Sequence, residues 1–284
     1  MVKRAVFLKQ SLGARPSWSL AVVIFIALWS AHVASAERLI SLAPHLTEMV
    51  FDLGMGAQLV GVSRYSDFPA AASRLPRVGD AFQLNVERII NLAPDRILAW
   101  QGGAPRTLSK LEALGFLVHR QEIKGLSSIG QGYRRLGDAL GQGPRGALIE
   151  AEFTASLNQL RARYAPRSTP RVFLQIAENQ LFTVSDRHYM GEAVSVCGGE
   201  NVFSDAVSEV PVVTLESVLS EQPDVIVFVT NQKGRLPWQA KWQTFLPDAT
   251  IQRVESDLLS RPSRRILSGI TALCRAIHLE AESG

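Results

Sequence analysis

A repeated segment limits what this chain can fold into more than any other feature of its sequence. "NVERIINLAPDRILAW" begins at Asn85, and "TLESVLSEQPDVIVFV" begins 129 residues later, at Thr214. Both segments predict a short helix, a Pro-Asp break and a buried apolar strand. Each copy also carries a glutamate in the first turn of its helix, Glu87 and Glu216. A chain that contains the same helix–strand unit twice is expected to fold into two similar halves.

Strand and helix patterns alternate through the rest of the chain, which is typical of parallel α/β packing. The longest helical pattern lies in the middle, over residues 143–166, and its apolar residues recur at spacings of three and four. These residues are Ile149, Phe153, Leu157, Leu160 and Tyr164. We therefore predict two Rossmann-like α/β lobes, residues 37–142 and 167–284, joined by one long helix.

The first 36 residues have the pattern of a secretory signal peptide. Basic residues precede the apolar run "SLAVVIFIALW", and the segment ends on the small residues Ala34, Ser35 and Ala36. The uninterrupted apolar stretch is too short to span a membrane comfortably, and no cysteine follows that would indicate a lipoprotein. We therefore expect cleavage after Ala36 and a product that is free in the periplasm.

Removal of this segment changes the charge of the chain. The full sequence has 30 Lys and Arg against 26 Asp and Glu, but four of the bases and none of the acids lie in the first 36 residues. The remaining chain is formally neutral, and it has no basic stripe that would indicate nucleic-acid binding.

Two cysteines, Cys197 and Cys274, follow the signal segment. Two cysteines in an exported chain most often pair, so a disulfide is favoured, and two buried thiols are the alternative. Closing a loop of this length would stabilise the C-terminal half by about 4 kcal/mol in the chain-entropy description.

Motifs of enzyme chemistry and of metal ligation are missing from the sequence. No G-x-S-x-G elbow, Walker loop or G-x-G-x-x-G lies where a strand meets a helix. The histidines after residue 36 are scattered without the spacing of a zinc site, at His45, His119, His188 and His278. The sequence therefore favours neither an enzyme nor a metal site built from protein side chains alone.

Aromatic residues lie near the ends of predicted strands in both lobes. Tyr65 follows the second strand, Trp100 ends the third, and Phe182 lies in a loop of the second lobe. Asp257 lies in the loop before the last helix. Ligands of α/β proteins bind beyond the carboxyl ends of strands and between domains. We therefore predict that these residues form one wall of a binding cleft.

Six segments together resemble one known family: "RLISLAPHLTE", "VGVSRYSDFP", "NVERIINLAPDRILAW", "RVFLQIAENQLFTVS", "VCGGENVF" and "SRRILSGITALC". They resemble the cobalamin-binding receptors of vitamin B12 ABC importers, in the helical-backbone group (class III) of periplasmic substrate-binding proteins. The resemblance covers nearly all of residues 38–278. It implies a monomeric receptor that is not an enzyme, has no cofactor, and carries cobalamin or a related corrinoid to a permease dimer at the inner membrane. It also implies that Cys197 and Cys274 form a disulfide.

The resemblance implies roles for particular residues. Tyr65, Trp100 and Phe182 match aromatic contacts to the corrin ring. Glu87 and Glu216 match two glutamates, one on each lobe, that engage arginines of the permease dimer. The residues that match the loop closing over the ligand are Asp257, Leu258, Leu259, Ser260 and Arg261.

The chain departs from the pattern of these receptors at several positions of the site. Ala81 and Val210 stand where the family has tryptophans, and Ser260 stands where it has an acid. Phe82, beside Ala81, is a further candidate for ligand contact. His45 is another, although we expect it to be an exposed loop histidine.

These departures leave the ligand open. The alternative within the same fold is a haem or ferric-siderophore receptor, in which the phenolate of Tyr65 would be a natural iron ligand. A periplasmic α/β hydrolase is the alternative from a different class of protein.

Overall fold

The computed structural model describes residues 36–165 and 167–279. Within these ranges, the residues from Glu37 onward form one compact unit. The predicted signal peptide lies outside the described residues except for Ala36, so cleavage after Ala36 stays a prediction. In the two described ranges, no helix is both long enough and apolar enough to cross a membrane.

The first half of the described chain contains a four-stranded parallel sheet in the order β2-β1-β3-β4. Its strands are β1 Leu39–Ser41, β2 Leu59–Val62, β3 Arg96–Trp100 and β4 Leu117–Gln121. Its helices are α1 Pro44–Asp52, α2 Val86–Asn91, α3 Pro105–Ala113 and α4 Leu126–Ala139, with 3-10 turns at Gly56–Gln58 and Ala70–Arg74.

Helix α5, Gly143–Tyr164, follows as the longest helix of the described chain. Its proline lies in the first turn, where the missing amide hydrogen breaks no helical bond. The predicted apolar stripe is confirmed, since four of its five residues are buried and Leu160 is partly buried.

The second half contains another four-stranded parallel sheet, in the order β6-β5-β7-β8. Its strands are β5 Arg171–Gln175, β6 Glu200–Asn201, β7 Val225–Val229 and β8 Thr250–Val254. Its helices are α6 Tyr189–Val196, α7 Leu215–Glu221, α8 Gln239–Phe245, α9 Ser256–Leu259 and α10 Ile266–His278. The two sheets have the same strand order, second-first-third-fourth. The prediction of two α/β lobes joined by one long helix is confirmed, whereas their boundaries at residues 142 and 166 stay a prediction.

The repeated Pro-Asp pair forms the same contacts in both lobes. The carboxylate of Asp95 accepts a hydrogen bond of 2.7 Å from the backbone N–H of Arg38, just before β1. The carboxylate of Asp224 accepts one of 2.7 Å from the backbone N–H of Arg171, at the start of β5. Left-handed backbone precedes both prolines, at Ala93 (φ 42°) and Gln222 (φ 47°). Each aspartate therefore ties the third strand of its lobe to the first.

The two lobes share one apolar core, and each lobe also has a smaller core of its own. One apolar cluster extends from the first sheet through α4 and α5 to the second sheet. Two smaller clusters each belong to one lobe. The continuous cluster explains why the two lobes form a single compact unit, because separating them would expose apolar surface to water.

The predicted disulfide is confirmed. Cys197, at the end of α6, is bonded to Cys274 in α10, and both residues are fully buried. The bond closes a loop of 77 residues within the second lobe.

Parts of the second lobe differ from the sequence prediction. The pattern "LFTVS" predicts a strand but forms only one bridge, between Phe182 and Val212. Strands β6 and β8 and helices α8 and α9 were not predicted, and Asp257 lies in α9 and not in the loop that the sequence predicted. Strand β6 is only two residues long, and β8 is an edge strand whose sequence "TIQRV" is too polar to stand out as buried.

Candidate functional site

A cleft of about 530 Å³ lies between the lobes. The first lobe contributes residues that follow the carboxyl ends of β1, β3 and β4, including Ala43, His45, Trp100, Gly102 and Lys124. The second lobe contributes His188, Tyr189, Glu209, Ser260 and Pro262. The position agrees with the general rule that α/β folds bind ligands beyond the carboxyl ends of their strands.

The indole of Trp100 is the largest apolar side chain on this wall. It is half-buried and folds back over the backbone of Gly102 and Gly103, where any Cβ would overlap the ring. The sequence "WQGG" therefore positions the indole through close approach of the backbone, which only glycine allows.

His45 lies in the cleft and is not the exposed loop histidine that we expected. It is the second residue of α1 and is only 8% exposed. Its ring meets the edge of Trp100 at a centroid distance of 6.4 Å. Burial lowers the pKa of His45 to about 4, so the imidazole is neutral near pH 7. The expectation was wrong because the helix begins at Pro44 and turns this position inward.

His188 and Tyr189 form the opposing wall, and the sequence analysis did not select them. His188 is the N-cap of α6, and its Nδ1 accepts a hydrogen bond of 3.2 Å from the backbone N–H of Met190. Burial lowers the pKa of His188 to about 4 as well. Tyr189 donates a hydrogen bond of 2.7 Å from its hydroxyl to the carbonyl oxygen of Ser260. Histidine is not among the residues preferred as an N-cap. Its position directly before a predicted helix was the one signal in the sequence that could have identified His188.

Three predicted aromatic contacts do not line the 530 Å³ cleft directly. Tyr65 is 66% exposed and has left-handed backbone with φ 66°. Phe82 is 79% exposed and is adjacent to Ala81, which lines the cleft. Phe182 is partly buried and bridges to Val212. Contact of Tyr65, Phe82 and Phe182 with a ligand therefore stays a prediction.

A second cavity of about 590 Å³ lies at the carboxyl ends of β5 and β7. Its polar lining includes Glu178, Thr230, Asn231 and Ser256. The Thr230 hydroxyl donates a hydrogen bond of 2.9 Å to Glu178. Ser256 begins α9, and Ser260, which lines the first cleft, directly follows this helix. Residues at the start of one short helix and just after its end therefore line the two cavities.

Only part of the segment from Asp257 to Arg261 lines the cleft. Ser260 lines the cleft, but Leu259 is fully buried in the apolar core. Arg261 is also buried, and its guanidinium is 2.6 Å from the carboxylate of Asp67 and 2.7 Å from that of Asp257. Leu258 is partly buried. The proposal that the whole segment contacts a ligand therefore rests most directly on Ser260.

Glu48, in the first lobe, contacts three residues of the second lobe. Its carboxylate is buried on α1 and lies 3.2 Å from Arg261 and 3.2 Å from Arg265, and it accepts a hydrogen bond from Ser263. Burial raises the pKa of Glu48, and the hydrogen bond from Ser263 and the two arginines oppose this shift. Buried charges need partners of this kind to offset their desolvation. The partners are more than 200 residues away in the chain, so the pairing could not be predicted from the sequence.

Glu87 and Glu216 occupy equivalent positions on the two lobes. Each is the second residue of its helix, α2 or α7, and each is exposed. The N-caps of the helices are Asn85 and Thr214, whose side chains accept backbone N–H groups. Capping is therefore provided without the glutamates, which leaves both carboxylates available to a partner.

No group of three or more potential metal-ligating side chains occurs within the described part of the chain.

The family described as periplasmic binding protein matches residues 39–271 of the chain. A vitamin B12-binding protein of Yersinia pseudotuberculosis is 37% identical over 267 residues, which cover 93% of this chain and 94% of the relative. The crystal structure of the periplasmic vitamin B12-binding protein BtuF of Vibrio cholerae is 36% identical and has a TM-score of 0.77, covering 86% of this chain and 97% of that one. A periplasmic haem-binding protein of Pseudomonas aeruginosa has a TM-score of 0.76 at 24% identity, covering 87% of this chain and 94% of that one. The last similarity concerns the fold alone.

Proposed function

The chain belongs to the periplasmic binding protein family, and we propose that it captures cobalamin or a related corrinoid between its lobes and delivers it to an ABC importer. It is a binding protein and not an enzyme. Residues 1–36 would direct export and be removed, and the mature protein would act as a monomer in the periplasm. The observation that carries the proposal is the identity of more than a third to vitamin B12-binding proteins along most of the chain.

The cleft supplies the kind of surface that a flat macrocycle needs. Trp100 offers an apolar face at the end of β3, and Tyr65 and Phe82 are exposed aromatic side chains of the same lobe. Affinity for a corrin ring is expected from burial of this apolar surface and from hydrogen bonds at the rim. We propose that Phe82 takes over part of the contact area of the tryptophan that Ala81 replaces.

We further propose that Glu87 and Glu216 contact a permease dimer. A two-fold symmetric transporter presents two equivalent surfaces, so a monomeric receptor needs one matching group on each lobe. The repeat supplies this match, because the two glutamates are exposed at the same position of the same helix–strand unit.

Isothermal titration calorimetry with cyanocobalamin tests the ligand. We expect one site per chain and a higher melting temperature at saturation, because a ligand that binds only the folded state stabilises it. Trp100→Ala should weaken binding by about 1–3 kcal/mol, the scale of one buried aromatic side chain. The matched control is Trp238→Ala, because Trp238 stacks on Trp242 and does not line the cleft. Binding of haemin without any binding of corrinoid would replace the proposal with the haem-receptor alternative.

A further inference from the structure

His45 has a nitrogen that nothing in the described chain satisfies. Its side chain lines the cleft beside Trp100 and is more than nine-tenths buried. Nε2 has no hydrogen-bond partner among the described residues. Buried polar atoms are almost always paired in folded proteins, and an exception calls for an explanation. A bound ligand that forms a bond to Nε2 would explain this exception.

The protonation state of His45 suits a metal better than an anion. The imidazole is neutral near pH 7 and keeps a lone pair on one ring nitrogen. Neutral imidazole is the form that coordinates metal ions. Nε2 is itself buried in this structure. Its coordination to a ligand would therefore require the ring to turn about its Cβ–Cγ bond, a torsion that is broad and roughly two-fold for histidine.

His188, on the opposite wall, provides an internal contrast. Its Nδ1 lone pair accepts the backbone N–H of Met190, so the ring proton lies on Nε2. A neutral imidazole in this tautomer has no second lone pair to give to a metal. Coordination by His188 would therefore require loss of the cap of α6. Of the two imidazoles that line the cleft, His45 is the one with a lone pair to offer.

We propose that His45 coordinates the central metal of the bound corrinoid by displacing an exchangeable axial water. This inference rests on the proposed function, because the macrocycle itself brings the metal. In the exchange the metal–oxygen bond to water breaks, a metal–nitrogen bond forms, and the water leaves. No electron is transferred, and the second ring nitrogen keeps its proton. Corrinoids with a labile axial water would then be held by His45 in addition to the apolar wall, whereas a tightly bound axial cyanide would block the bond.

Visible absorption spectra of aquacobalamin and diaquacobinamide test the proposal directly. Binding to the wild-type protein should shift the corrin bands in the direction that free imidazole shifts them. His45→Gln should leave the bands of the aqua-corrinoids unshifted even at concentrations at which the variant is saturated with corrinoid. His188→Asn, which keeps an N-cap oxygen for α6, should retain the shift. Cyanocobalamin binding and the melting temperature of each variant show whether it is folded.

The possible outcomes distinguish coordination by His45 from corrinoid binding itself. Wild-type protein that binds cyanocobalamin but leaves aqua-corrinoids unshifted would disprove coordination and leave the proposed function intact. A shift that persists in His45→Gln would also disprove it, because another group would then be the ligand. Failure to bind any corrinoid would remove both the inference and the proposed function.

Discussion

The N-terminal and C-terminal lobes contain the same sheet, yet they present different side chains to the cleft. Their strand orders match, and Asp95 and Asp224 form equivalent hydrogen bonds at the starts of the first strands. At the other ends of the strands the lobes diverge, with Trp100 and His45 on one wall and His188 and Tyr189 on the other. The repeat therefore fixes the backbone frame, and the loops after the strands are free to differ. Under the proposed function, a ligand without two-fold symmetry would contact the parts that differ, and a symmetric permease would contact the parts that are alike.

The disulfide distinguishes the C-terminal lobe from the N-terminal one, since both cysteines lie in the C-terminal lobe. Replacing Cys197 and Cys274 together with alanine should lower the free energy of unfolding by about 4 kcal/mol, because the unfolded loop of the second lobe is no longer closed. Denaturant unfolding measures the loss, and hydrogen exchange locates it. We expect the amides of β5–β8 to lose more protection than those of β1–β4. An equal loss in both sheets would mean that the lobes unfold together and that the asymmetry has no consequence for stability.

The paired aspartates test whether the repeated segment has the same structural role in both lobes. Asp95→Ala and Asp224→Ala should each lower the free energy of unfolding by about 1 kcal/mol, because each removes one exposed hydrogen bond to a backbone N–H. The substitutions to asparagine should restore most of the loss, because the amide oxygen still accepts that bond. Thermal denaturation of the four variants gives the comparison. A large loss of stability from the substitution in one lobe and none in the other would show that the repeated segments are similar in sequence but not in structural role.

The two glutamates should have the smallest effect on the fold. Glu87→Ala and Glu216→Ala should each change the free energy of unfolding by a few tenths to about 1 kcal/mol, since the helix dipole favours an acid in the first turn. Neither change should alter corrinoid affinity. Each should weaken association with the reconstituted permease, and the double variant should lose most of it, because a charge left without its partner at an interface can cost about 2–5 kcal/mol.

Asp248→Ala is the matched control for this experiment, because Asp248 is an exposed acid outside the repeat. It should bind the permease as the wild-type protein does. Normal docking by the double glutamate variant would show that both residues only stabilise the first turns of their helices.

The sequence predicted those features that depend on local pattern. The repeat, the linking helix with its stripe from Ile149 to Tyr164, and the placing of Trp100 at a strand end all follow from periodicity and break residues. The interlobe contacts of Glu48 do not, because residue type and spacing say nothing about partners more than 200 positions away. His45 was placed wrongly as an exposed residue for the same reason. Its burial depends on the direction in which the start of α1 turns and on its packing against Trp100, which is distant in the chain.

The central claim is that one ligand is held by both lobes at once. Hydrogen exchange of the mature protein with and without cyanocobalamin tests it most directly, because amides in a binding site become protected when the ligand stabilises their folded state. We predict slower exchange in residues 100–103 and 122–124 of the first lobe and in residues 188–190 and 260–263 of the second, with α2 and α7 unchanged. Protection confined to one lobe, or absent from both, would contradict the account.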